Sequence, residues 1–274
     1  MSENLPIVGA AMPSTWLETH REWLLEHQRD LEIQDFARPD ILDSDNLSSH
    51  LQDIKTKLDG YTGRMGIHAP FWNLTLSAYD SKIRAVVQDR FRQSLDVASE
   101  IGATHMVIHS PLQFLGASSS LTKPMIADKP LFDIIHETLA PVVAQAEQIG
   151  CTLVIENIFD KRPTLLTDLV KSFDSECVRQ SLDVGHAYIN HFEGAPPPDY
   201  YVRTAGDLLG HVHLQDTDGY TDRHWTLGEG NVNWSELFRA LGEINSQPRL
   251  IIEIRDYADI PRAADWLATH HLAS

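Results

Sequence analysis

The chain has 274 residues, 42% hydrophobic and 22% charged, which is ordinary for a globular protein and leaves enough apolar side chain for a sizeable core. Its formal net charge of −17 argues against nucleic-acid binding, because a polyanion needs a concentrated basic patch and the sequence has none. The N-terminal MSENLPIVGAAMPS lacks a basic segment followed by an apolar run, and nowhere do about 18 apolar residues follow one another, so a cytoplasmic protein with no membrane partner is expected.

Short apolar runs alternate with longer stretches of helical periodicity, the pattern of a parallel sheet built from strand–helix units. The first strand is predicted at Pro6–Ala11 and its helix at Thr15–Gln28; the second strand at Leu31–Gln34, with a helix over Asn46–Leu58. The third strand, Arg64–His68, leads through APFWNL to a helix over Ser81–Ile101, whose apolar face is Ile83, Val87, Phe91, Leu95 and Ala98. The fourth strand, Thr104–His109, is followed by a long loop, SPLQFLGASSSLTKP, of the kind that is usually functional or disordered. A helix over Leu131–Ile149 then precedes a strand at Thr152–Glu156. The last three strands are predicted at Arg179–Asp183, His211–Leu214 and Leu250–Glu253, with a closing helix near Ala258–Thr269. Cys151 and Cys177 have no CxxC spacing and sit where strands begin, as buried thiols would. Eight units without a linker predict an α/β fold, a closed (β/α)8 barrel forming one domain over residues 1–274. The alternative is a doubly wound open sheet, which ordinarily has a glycine-rich turn after its first strand, and VGAAMPS is not GxGxxG.

In such a barrel the active site lies at the C-terminal ends of the strands. Those ends carry His68, His109, Glu156, Asp183 with His186, His213 and Glu253 in succession. The stretch from Gly210 to Trp234 adds Asp216, Asp222 and His224 before a Gly228-Glu229-Gly230 turn. Carboxylates and imidazoles gathered at one mouth would bury charge at several kcal/mol per ion unless a cation joined them, so metal binding is expected. A histidine-rich set favours zinc or manganese over magnesium. His211 shares the face of His213 but lies deeper, which suits a structural residue.

IHAP at His68, VIHSP at His109, VIEN at Glu156, SLDVGH at Asp183 and His186, HVHLQD at His213, DRHWTLGEG at Asp222 and His224, and IIEI at Glu253 resemble the xylose-isomerase-like TIM barrel superfamily over almost the whole length. Its members include sugar isomerases and keto-sugar 3-epimerases. The resemblance implies one divalent ion held by Glu156, Asp183, His213 and Glu253, with His186 contacting substrate. In a second branch, the abasic-site endonucleases with a trinuclear zinc cluster, nine positions are ligands; here they are those four with His68, His109, His186, Asp222 and His224. One to three ions, and a possible homodimer, are therefore implied.

The chemistry expected is isomerisation or epimerisation of a sugar, sugar phosphate or polyol. Glu156 and Glu253 would act from opposite faces of a carbon next to a carbonyl, and His186 would orient a substrate oxygen. His68, Phe71, Trp72, His109, Trp225 and Arg255 are the expected substrate-binding residues, with Phe114 a further aromatic near the mouth. Alternatives are an abasic-site endonuclease-like zinc phosphodiesterase, a polyol dehydratase and a non-catalytic metal- or sugar-binding barrel. The acidic loop DFARPDILDSD opposes the first of these, since a phosphodiester backbone is gripped by Lys and Arg. A barrel without catalysis would be expected to have lost a glutamate or His186.

Overall fold

A parallel strand cannot pair with the next through a tight turn, so each must be followed by a connection that returns along the outside of the sheet. In the computed structural model, which describes residues 5–112 and 130–274, the strands are β1 (Gly9–Met12), β2 (Leu31–Ile33), β3 (Met65–His68) and β4 (His105–His109), then β5 (Thr152–Glu156), β6 (Val178–Asp183), β7 (Leu209–Leu214) and β8 (Arg249–Ile252). They pair in sequence order, all parallel, and β8 returns to β1, closing the barrel and removing the open-sheet alternative. The helices outside it are α1 (Arg21–Glu26), α2 (Pro39–Leu42), α3 (Leu47–Lys57), α4 (Ser81–Ile101), α5 (Leu131–Ile149), α6 (Pro163–Ser172), α7 (Val184–Phe192), α8 (Pro198–Ala205), α9 (Trp234–Leu241) and α10 (Ile260–Thr269).

Elements whose ends are set by local chemistry fall where the sequence puts them. Asp80 caps α4 by accepting from the Lys82 N–H at 2.8 Å, and Gly102 ends it in the left-handed region at φ 76°. Val87, Phe91, Leu95 and Ala98 are buried as expected, whereas Ile83, in the first turn, is exposed. The helix predicted over Thr15–Gln28 is instead a 3-10 turn, Ser14–Trp16, followed by the short α1. His20 at the break bonds through Nε2 to the Tyr257 carbonyl at 2.7 Å and stacks on Trp16, a long-range anchor that helical periodicity does not encode. Strand β1 begins at Gly9 rather than Pro6, and β8 ends at Ile252, leaving Glu253 one residue beyond it. Cys151 is buried, but Cys177 is only partly so. Phe114 and most of the long loop after β4 lie outside the described residues.

The β7–α9 connection is held by one buried carboxylate. Asp216 accepts from the backbone N–H groups of Thr217 (2.9 Å), Gly228 (2.8 Å) and Val232 (3.2 Å) and from the Trp234 indole (3.0 Å). Its backbone pairs with that of Trp225. A Cβ at Gly230 would lie 2.3 Å from Asp216 Oδ1, so only glycine fits there. Asp216 was a ligand candidate by residue type; its oxygens are instead spent on shaping the loop that carries Asp222 and His224. Because a buried donor without an acceptor costs about 1–3 kcal/mol, Asp216→Ala should lower the thermal unfolding temperature by several degrees. Asp216→Asn, which keeps one acceptor oxygen, should fall in between; an unchanged melting curve for the alanine variant would show that the loop does not depend on this carboxylate.

Candidate metal centre and active site

Three adjacent strands deliver their last inward residues to one point. Glu156 ends β5, Asp183 ends β6, and His213 stands one residue before the end of β7, opposite Asp183 in the pairing. His213 Nδ1 is 3.0 Å from Glu156 Oε2 and 3.3 Å from Oε2 of Glu253, which follows β8. Asp183 also caps α7, accepting from the His186 N–H at 2.6 Å through Oδ1. Glu156 Oε2, Asp183 Oδ2 and His213 Nδ1 are all buried without a hydrogen-bond partner, and one ligand atom from each residue lies within 4.8 Å of the others. Buried polar atoms almost always find partners, so three neighbouring residues that each leave one unbonded, with ligand atoms this close together, fit a divalent cation in their chemistry.

Two further groups adjoin this one. His224 Nε2 is 3.0 Å from Asp222 Oδ2, and His186 Nε2 lies 3.4 Å from the same oxygen. His68 Nε2 is 4.0 Å from Glu156 Oε2, and His109 belongs to the same group. All nine residues singled out in the sequence therefore stand at one end of the barrel.

Several side chains that sequence reasoning missed hold this set in place. Asn157 grips Asp183 at both its N–H (2.8 Å) and its carbonyl (3.1 Å). Gln215 donates to Asp222 Oδ1 (2.8 Å) and Asp183 Oδ1 (3.3 Å) and accepts from the His224 N–H (3.1 Å). Gln34 donates to Glu253 Oε1 at 2.8 Å and accepts from the Tyr257 hydroxyl at 3.0 Å. Glu32, buried on β2, contacts His213 Nε2 at 3.1 Å. Asn157 directly follows Glu156, Gln215 comes two residues after His213, and Glu32 is a lone acid inside an apolar strand; those are the signals that could have found them. Gly185 is required for a similar reason, since a Cβ there would stand 2.2 Å from the Gln215 amide.

Electrostatically the group holds protons where a cation would sit. Burial alone would depress His213, but Glu253, Glu32 and Glu156 around it hold it well above its usual range. Burial favours neutral Glu156 too, yet His213 and His186 keep its carboxyl well below the usual carboxylate range. Asp183 is pushed up to about 6 by burial, with Glu156 adding to the shift. Burial lowers His109 to about 3, so that imidazole is neutral at pH 7.

The mouth above these groups is an open cavity of about 930 Å³ lined by, among others, Phe71, Trp72, Phe159, Tyr220 and Arg255. Trp72 and Tyr220 are 73% and 83% exposed, and Phe71 stacks on His109 at 4.2 Å. Arg255 donates to the Asp222 carbonyl at 3.0 Å. Trp225 is absent from this lining: its backbone is tied to Asp216 and its ring lies 5.2 Å from the Arg223 guanidinium, so the expectation of a substrate-facing indole is corrected. Among the described residues no helix is long and apolar enough to cross a membrane.

Residues 29–270 match the family model described as xylose isomerase-like TIM barrel. An uncharacterized protein of Methanocaldococcus jannaschii is 27% identical over 217 residues, 76% of this chain and 70% of that protein. Fructoselysine 3-epimerase of Escherichia coli O157:H7 is 25% identical over 166 residues, 58% of this chain and 56% of that enzyme. Among solved structures, a Thermus thermophilus protein soaked with ZnCl2 is similar with a TM-score of 0.74 and 26% identity, covering 96% of both chains.

Just beyond Glu156, Asp160 ties the β5 loop to the end of β4. It accepts from Ser110 Oγ (2.7 Å) and the Ile158 N–H (2.8 Å), and burial pushes its carboxyl up to about 6 from 3.8. A folded value above the unfolded one favours the protonated form, so this contribution to stability is complete below 3.8 and is lost as the pH rises through about 6. The unfolding temperature of wild type relative to Asp160→Asn should therefore fall across that window; a constant difference would contradict the shift.

Proposed function

This chain belongs to the xylose isomerase-like TIM barrel family, and from that premise we propose that it is a divalent-metal-dependent isomerase or epimerase of a sugar, sugar phosphate or polyol. The observation that carries the reading is the set of orphaned donors on Glu156, Asp183 and His213, with Glu253 beside them. Those four residues would hold the ion, zinc or manganese by the mixture of imidazole and carboxylate. When bound, such an ion would polarise the carbonyl and hydroxyl oxygens of a hydroxy-ketone and acidify the C–H of the carbon next to the carbonyl.

The two glutamates supply the proton transfers. Each has one oxygen directed at His213 Nδ1 and another occupied elsewhere: Glu156 Oε1 lies 3.3 Å from His186 Nδ1, and Glu253 Oε1 is held by Gln34. Fixed in this way, one carboxylate removes the proton from the carbon beside the carbonyl, and the other, starting as the acid, returns one from the opposite face. Substrate is held by His186 at an oxygen and by Phe71 and Trp72 on its C–H face. His68 and His109 line the same cavity. Among the described residues Arg255 makes no ion pair, which leaves it able to meet an anionic substituent.

A second reading, zinc-dependent phosphodiester hydrolysis, is favoured by the two adjoining groups built on His68 with His109 and on His186 with Asp222 and His224. Against it, Arg38 in the acidic loop after β2 is occupied by Asp40 at 2.5 Å.

Glu156→Gln and Glu253→Gln should each abolish turnover of a keto-sugar panel while leaving the unfolding temperature within a few degrees of wild type; normal activity in either would sink the assignment. Metal analysis should find one ion per chain, and two or three zinc ions would favour hydrolysis. Chelation should lower the unfolding temperature by several degrees, since saturating metal contributes about 4 kcal/mol at a thousandfold excess over Kd. Duplex DNA bearing an abasic site should remain uncut with zinc restored.

A further inference from the structure

Glu32 lies in the middle of β2, between Leu31 and Ile33, and is 2% exposed. A carboxylate at that depth costs several kcal/mol unless it is paired, and nothing in the proton transfer uses it. Among the described residues its ion-pair partners are two imidazoles: His211 Nε2 and His213 Nε2, both at 3.1 Å from Oε2. The chain continues beyond His211, whose Nδ1 is 2.9 Å from Ser181 Oγ. The result is a buried line, Ser181 to His211 to Glu32 to His213, running up the inside of the barrel to the proposed metal centre.

The geometry assigns Glu32 as the positioning residue of that centre, a role that rests on the proposed metal-dependent function. An imidazole offers a metal one nitrogen at a time, and the identity of that nitrogen follows from what holds the other. Both Glu32 oxygens face His213 Nε2, at 3.2 and 3.1 Å, so Nε2 keeps its hydrogen and donates it. Nδ1 is then the nitrogen a metal would take by displacing its proton, and it is Nδ1 that stands beside Glu156 and Glu253. The carboxylate also makes His213 a more electron-rich ligand. His211 donates Nε2–H to the same carboxylate while the Ser181 hydroxyl donates to its Nδ1, which fixes the tautomer of the second imidazole. The rival arrangement is a cation bound directly among Glu32, His211 and His213, which also have ligand atoms within 4.8 Å of one another.

The test is a chelator-competition titration of wild type and Glu32→Gln with Mn2+ and Zn2+, combined with ion counts per chain. The variant should bind the same number of ions about 10- to 100-fold more weakly. The unfolding temperatures of the two chelated proteins should differ little, with the gap opening when metal is added; a purely structural residue would give the gap without metal. Unchanged affinity at an unchanged count would overturn the assignment, as would the loss of one whole ion with the rest bound normally, since Glu32 would then be a ligand itself. A wild type that binds no divalent ion would instead overturn the proposed function, a failure seen before any variant is compared. Should Glu32→Gln not fold, Ser181→Ala at the far end of the line should show a smaller loss of the same sign, and full affinity in that variant would overturn the assignment as well.

Discussion

Closing eight parallel strands into a ring brings the carboxylates of Glu32, Glu156, Asp183 and Glu253 into one nearly water-free space with His213 among them. Charge at that depth is tolerated only when compensated, and the imidazoles present satisfy some of the oxygens while leaving others bare. Much of the rest of the mouth answers to this constraint. The amides of Gln215 and Gln34 donate to carboxylate oxygens of Asp183, Asp222 and Glu253, and Asn157 fixes the backbone of Asp183, so the oxygens left over face the centre.

Under the proposed function the same arrangement separates holding from reacting. Asp183 is pinned by a helix N-terminus and by Asn157 and has little freedom to move. Glu156 and Glu253 are each held through one oxygen by His186 or Gln34 and turn the other toward His213, which under the proposed function suits side chains that exchange a proton without leaving their place. Support from beneath by Glu32 and from the side by Gln215 draws on β2 and the β7–α9 loop, so the centre's geometry is distributed over elements far apart in the chain. The Asp216 loop is part of this support, because it carries Asp222 and His224 over the mouth.

Much of this was legible in the sequence. The alternation of apolar runs with helical periods reflects how strands and helices must be buried, and it fixed the (β/α)8 order and the full extents of α4, α5 and β5. Because active sites of this architecture sit where strands end, reading the last inward residue of each strand found His68, His109, Glu156, Asp183, His213 and Glu253. Periodicity tells which way a side chain points, but it carries no information on which atoms meet across the ring. That was decided by strand register and loop path. Register set Glu32 beneath His213, and loop path gave Asp216 to its own backbone, set the Trp225 ring beside Arg223 and let Gln34 reach Glu253 across 219 residues of sequence. The break of the first helix at His20 has the same origin, a bond to Tyr257 at the other end of the chain that forms only once the barrel closes.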